Sequence, residues 1–264
     1  MTYRDGVYEG RGEGPMFVGW DKAPGVDRRF LFGAIPLALG AVGGLSYVLS
    51  SRMDDPGAGA WLTGATHVID GVVVSKPYPM IRTPDPAAPF GMRTALIVSE
   101  AKCTNGLEYA ALEGAPARAS GVLIERGARR MLEVPLATPK WLEPLDEIAD
   151  AATLARPPEE RLGRAELAGN IMDSKCFFGV MKPARGRTHK ACAALCVRSG
   201  IPPSFWARTR DGREAVLLVT DAAGGPLTTE ILPLIADPVR ATGEIVRVGD
   251  LLQFRADVGD YERV

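Results

Sequence analysis

Residues 30–50 (FLFGAIPLALGAVGGLSYVLS) form an apolar run of 21 positions without a charged side chain and without a polar stripe at helical spacing. A helix rising ~1.5 Å per residue would carry this run across a hydrocarbon layer ~30 Å thick, so the pattern predicts a transmembrane helix. Beyond residue 60 the pattern changes to short apolar runs and alternations broken by glycine and proline, the signature of strands. Strands are predicted at 67–75, 93–100, 116–125 and 129–134, and again at 165–173, 214–220, 238–247 and 250–256. The two series match. Residues 91–101 (GMRTALIVSEA) align with 212–222 (GREAVLLVTDA) at an offset of 121, and 116–127 (PARASGVLIERG) with 238–249 (PVRATGEIVRVG) at 122. A weaker match pairs 67–76 with 166–175. Two long segments at nearly one offset predict two copies of one domain.

In each copy, a strand with glycine at its bend leads into a closing hairpin, which resembles the small OB-type barrel, whose curled strands need such a glycine. The expected fold class is mainly β: an N-terminal transmembrane helix, then two tandem OB-like barrels, the second with an inserted short helix. The expected boundaries are a cytoplasmic tail at 1–29, the membrane helix at 30–50, a first barrel at 62–135, a linker at 136–163 and a second barrel at 164–258. Five prolines punctuate the linker, and a short helix is expected from 145 to 154, with Asp146, Glu147 and Asp150 on a solvated face.

Charge sets the orientation of the helix. Lys22, Arg28 and Arg29 precede it, while Arg52 alone follows, next to Asp54 and Asp55. The positive-inside bias puts the N-terminus in the cytoplasm and the rest of the chain outside, in a bacterial inner membrane. Gly40 and Gly44 form a GxxxG face that lets another helix approach. Arg28-Arg29 followed by Phe30-Leu31-Phe32 resembles a twin-arginine export signal, and residues 27–61 resemble the retained N-terminal anchor of Rieske iron–sulfur proteins. The paired Cys-x-His segments of that family are absent, so no iron–sulfur cluster is implied.

Composition narrows the rest. A net charge of -1 over 264 residues argues against a nucleic-acid coat. Three of the four cysteines and one of the two histidines fall within residues 169–200. Copy two spends 38 positions between its first strand and Gly212 where copy one spends 16, and the extra length carries His189, Cys192 and Cys196. The expected helix there starts at a Thr188 cap and closes at Gly200 before Pro202-Pro203. Its three soft side chains share one face, but His189 and Cys196 lie ~10 Å apart along a regular helix. One ion bound at ~2.0–2.3 Å therefore needs Cys176, Cys192 and Cys196 with His189 outside, or a bent helix start. Cys176 is expected at the end of the preceding strand.

A structural disulfide, a bound metal or cofactor, and a catalytic thiol all remain open for these residues, with Cys103 as a further thiol. Lys182, Arg185, Arg187 and Lys190 lie in a stretch free of acid that can dock an anionic partner. Phe177, Phe178, Phe205 and Trp206 read as core. The pattern Gly169-x-Ile171-x-Asp173-x-x-Cys176, then His189-Lys190-x-Cys192-Ala193-x-x-Cys196, then Gly200-Ile201-Pro202, resembles small exported bacterial proteins built around one OB-like domain, for which no activity is assigned. The chain holds no Walker loop, GxSxG, HExxH or haem-attachment motif. The expected function is that of a periplasmic, membrane-anchored accessory or assembly subunit of a membrane complex engaged in electron transfer. Its partners would be inner-membrane lipid and an integral-membrane or redox protein, with no nucleic acid, and a metal ion at the Cys/His cluster is the cofactor considered. The alternative is a thiol-redox protein or metallochaperone using Cys192 and Cys196.

Overall fold

The computed structural model describes residues 2–4, 7–9, 25–52, 57–102, 112–136, 140–208 and 214–264, with backbone alone for 2–4, 7–9 and 25–27. Lys22, Asp54, Asp55, Cys103 and Gly212 lie outside the described residues. The chain divides into two compact units, Met1–Asp54 and Asp55–Val264.

The first unit holds a hairpin of β1 (Thr2–Arg4) and β2 (Val7–Glu9), then helix α1 (Gly25–Ser51) with Pro36 inside it. The apolar stretch Arg28–Ser51 is long and apolar enough to span a membrane or to act as a signal sequence, and none of it is buried. Among the described residues, nothing beyond the helix's own backbone approaches Gly40 or Gly44.

The second unit is mainly β. Its first sheet uses β3 (Ala60–Trp61), β4 (His67–Val74), β5 (Met80–Pro84), β6 (Met92–Ser99), β7 (Pro116–Arg126), β8 (Arg129–Val134) and β9 (Leu142–Pro144). Antiparallel pairing runs from β4 to β5 to β6, β6 lies parallel to β8, and β7 pairs with both β8 and β4. That circuit closes a five-stranded barrel. The long strand β7 changes partner at its middle: residues up to Gly121 face β4, and residues from Val122 face β8. A side chain at Gly121 would strike the Glu133 carbonyl, so the bend needs glycine.

The second sheet repeats this order with β10 (Glu159–Asp173), β11 (Pro203–Arg208), β12 (Glu214–Thr220), β13 (Pro238–Val248), β14 (Leu251–Arg255) and β15 (Tyr261–Arg263). Strand β12 is parallel to β14, and β13 returns to β10. Gly243 takes the place of Gly121 and faces the Arg255 carbonyl.

The registers refine the internal match. Thr94 pairs with Arg82 as Val216 pairs with Trp206, an equivalence that makes the third strand follow the same offset as the long strand. Gly71 and Gly169 stand opposite Ala117 and Val239, and each presses its Cα against a carbonyl, of Arg82 and of Trp206. Both equivalences sit one residue from the sequence alignment. Runs of Val, Leu and Ala look alike when slid by one position, whereas strand pairing does not.

The expected boundaries also move. Strand β9 pairs with β7 as β15 pairs with β13, so residues 142–144 belong to the first barrel and 261–263 to the second. Strand β10 begins at Glu159 and pairs with β13 from there. The helix of the connecting stretch is α2 (Ala151–Ala155), later and shorter than expected, with Asp146, Glu147 and Asp150 before it. Leu154 inside it packs on Val72 and Met92, and its carbonyl accepts from Arg82 at 3.0 Å. The stretch is therefore part of the packed unit.

Each sheet encloses its own core, with Val73, Ile81, Ile97 and Leu132 in one and Ile171, Phe205, Val219 and Phe254 in the other. A third apolar layer joins them. Tyr78, Met80, Leu96, Val98, Ile124 and Met131 meet Met172, Phe177, Phe178, Trp206, Val216 and Leu218. The equivalent residues Leu96 and Leu218 both lie in this layer. The polar contacts around it are reciprocal as well. Thr94 donates to Asp250 at the β13–β14 turn, and Arg129 at the β7–β8 turn donates to the Val216 carbonyl. Burying one large apolar side chain contributes about 1.5–3 kcal/mol. Six such residues from the first barrel alone approach the whole stability of a small domain, roughly 5–15 kcal/mol. The halves therefore behave as one body.

Tyr78 is the deepest exchange. It leaves the β4–β5 hairpin of one half, enters the other, donates to the Val219 carbonyl at 2.8 Å and accepts from Leu227 N at 3.0 Å. Tyr78→Phe should lower the unfolding free energy by about 1–3 kcal/mol, because two buried backbone groups lose their partner. Urea denaturation of the second unit checks this, and an unchanged midpoint would count against it.

Candidate metal centre

Between β10 and β11 the chain inserts α3 (Ser174–Phe178) and α4 (Lys190–Arg198). Asp173 ends the strand and caps α3: its Oδ1 accepts from Cys176 N at 2.8 Å. Cys176 therefore sits in a short helix and does not end the strand as expected, because the aspartate turns the chain three residues earlier. Lys175 is fully buried and points into the first barrel. Its Nζ donates to the carbonyls of Ser99 and Ala101 at 2.8 and 2.6 Å and meets Glu133 Oε1 at 2.6 Å. Three partners match the three donors of an ammonium group, which makes burial of the charge tolerable. Trp61 Nε1 donates to the other Glu133 oxygen at 2.8 Å, and Arg126 stacks 3.8 Å above the Phe177 ring. The insertion is thereby clamped to the first barrel.

Helix α4 ends as expected, with Gly200 at φ +96°. Its start differs. Arg187–His189 form a 3-10 turn, and no side chain caps α4; Thr188 is exposed. His189 is buried and engaged elsewhere, with Nε2 3.0 Å from Asp173 Oδ2. Cys192 and Cys196 lie one helical turn apart on the same face of α4.

The sulfurs of Cys176, Cys192 and Cys196 all lie within 4.8 Å of one another. This is the set anticipated with His189 outside. All three are free thiols here, with the Cys176 and Cys192 sulfurs 3.9 Å apart. A second group, Asp173, Cys176 and His189, meets the same spacing. Lys102, at the end of the β6 segment, brings a cation: its Nζ is 2.6 Å from Cys192 Sγ and 3.9 Å from Cys196 Sγ.

Two thiols of the cluster are pushed in opposite directions. Cys176 is pushed well above the usual thiol range, first by donating its proton to Cys196, then by burial and by Asp173. Cys196 is held below that range, first by the bond from Cys176 and then by Lys102, against its own burial. Lys102 is raised, chiefly by its bond to Cys192. The chemistry on offer is that of soft anionic ligands beside a fixed cation.

No protein-family profile matches the chain, and no curated protein resembles it.

The basic stretch is less open than its sequence. Lys190 and Arg187 meet Asp237 at 2.6 and 3.8 Å, Arg185 stacks 3.8 Å over the Trp206 ring, and Lys182 is exposed. The acids that answer this stretch come from other elements, so a local charge count overstates the patch. Phe177, Phe178, Phe205 and Trp206 are buried as expected. Lys102, Glu133 and the role of Asp173 escape a sequence reading. Asp173 stands inside the recurrent pattern, but the two residues from the first barrel carry no local signal.

Exposure orders the thiols. With Cys103→Ser as background, iodoacetamide at pH 8 should label Cys192 first, because Cys176 and Cys196 are buried and Cys192 is half-buried. Mass mapping of partially labelled protein checks the order, and labelling of Cys176 ahead of Cys192 would contradict it.

Proposed function

We propose that the chain is a membrane-anchored, extracytoplasmic accessory subunit of a membrane-bound complex, with two OB-type barrels and a thiolate-ligated metal centre in the second. The observation that carries the reading is the convergence of three free sulfurs within 4.8 Å beside Lys102. A disulfide would use two sulfurs and strand the third beside a cation. A divalent ion on three thiolates carries one negative charge, which the Lys102 ammonium neutralises, so the centre can be buried without net charge. Cys176, Cys192 and Cys196 would hold the ion, which would supply a Lewis-acid or redox-active centre when bound.

The OB assignment is supported by the pairing order of each sheet, with third and fifth strands parallel and the fourth returning to the first. Oligonucleotide binding on the barrel face is disfavoured, because residues of β5 and β6 such as Met80 and Leu96 are covered by the other half. Anchoring rests on the uncharged run in α1 and on Arg28 and Arg29 before it. The twin-arginine pair fits export of a folded, metal-loaded domain, and Gly40 and Gly44 fit a helix partner in the complex.

A thiol-redox role is favoured by one observation, the 3.9 Å between Cys176 and Cys192, which a disulfide can bridge after a small movement.

One measurement separates these readings, and a second tests the anchoring they share. Protein purified anaerobically from its native membrane should contain at least one equivalent of a thiophilic metal, and Cys176, Cys192 and Cys196 should become alkylatable only after chelation. Thiols released by reductant alone, with no metal, would overturn the metal reading in favour of the redox one. A C-terminal alkaline phosphatase fusion should be active, and an inactive fusion with a fluorescent cytosolic reporter would remove the extracytoplasmic assignment.

A further inference from the structure

We propose that the site holds two metal ions, bridged by the Cys176 thiolate. The proposal rests on the metal reading above and extends it to a second ion on Asp173 and His189. Ligand atoms of one ion, each bound at ~2.0–2.3 Å, stand at most ~4.6 Å apart. Two separate trios approach that spacing, Cys176 with Cys192 and Cys196, and Cys176 with Asp173 and His189. They share one sulfur and nothing else, and a thiolate has lone pairs for two ions.

The local fold presents Cys176 to both sides. Asp173 caps α3 through the Cys176 amide, which places its carboxylate beside the Cys176 sulfur, while α4 brings Cys192 and Cys196 from the other direction. Asp173 and His189 are both buried, and their 3.0 Å hydrogen bond is the arrangement an ion would replace. The two sites differ in kind. Three sulfurs make a soft site, whereas one carboxylate, one imidazole and one thiolate make a borderline site suited to zinc or a similar divalent ion. Four positive charges meet three thiolates and one carboxylate, leaving Lys102 as the remaining charge. Cys192, the half-buried member, gives the ions an entry path.

Cobalt(II) counts the sites. The full-length chain in detergent, reduced and carrying Cys103→Ser, is titrated with Co²⁺ while thiolate-to-cobalt absorption is followed, and bound Zn²⁺ is counted after desalting. Wild-type ligands should bind two equivalents. His189→Gln and Asp173→Asn should each bind one and keep the absorption of the three-sulfur site; the amide of Asp173→Asn still accepts from Cys176 N, so α3 keeps its cap. The double variant Cys192→Ser with Cys196→Ser should bind one ion and lose most of that absorption. Saturation at one equivalent that depends on Cys192 and Cys196 would overturn the second site alone. Two equivalents in His189→Gln would also overturn it. No binding by any form would overturn the metal reading itself. Near-UV circular dichroism reports folding of each variant, and if both single variants unfold, the wild-type stoichiometry decides.

Discussion

Met80, Leu96, Val98, Ile124 and Met131 lie outside the first barrel's own core, and packing against the second half of the unit helps keep them from water. That constraint shapes the molecule. A barrel with an apolar outside cannot stand alone, so each half completes the other, and the loops at their edges are drawn into the joint. Tyr78 from one β-hairpin plugs the second half. Helix α3 of the second half packs on the first. The covered faces are those a small barrel would otherwise offer to a ligand, which leaves the insertion as the place for chemistry.

The thiol cluster follows from this joint. Its cysteines all belong to the insertion, but their surroundings do not. Lys175 anchors α3 by reaching two carbonyls and Glu133 of the first barrel, and Lys102 from the same barrel stands against Cys192. The centre is thus assembled across the two halves, and its electrostatics depend on their docking. One half carries the elaborated loop, and the other supplies the cation beside its sulfurs and the carbonyls that hold Lys175.

Much of this was legible in the chain. The apolar run of α1, the glycine bends at Gly121 and Gly243, the long third and fourth strands of each copy and the three-cysteine set all carry local patterns, because periodicity, glycine geometry and helical pitch are local properties. The short strand β5 carries none: Met80–Pro84 is ended by a proline, lacks alternation and is buried on both faces. Strands β9 and β15 are three residues each and exist only because the edge of a long strand needs a partner. The one-residue slips in the internal match arise in runs of similar apolar residues, where only pairing fixes register. Lys102 and Glu133 are ordinary surface residues by sequence, and only folding makes them neighbours of the sulfurs and of Lys175. The acid-free basic stretch hides its partner for the same reason, since Asp237, which meets Lys190 and Arg187, is distant in sequence.

The central claim is that three sulfurs from the insertion share one ion. X-ray absorption on protein isolated without added metal reads that shell directly. Three sulfur neighbours at ~2.3 Å from a bound metal are predicted. A metal shell of nitrogen and oxygen alone, or a sulfur edge showing an S–S bond between Cys176 and Cys192, would contradict it.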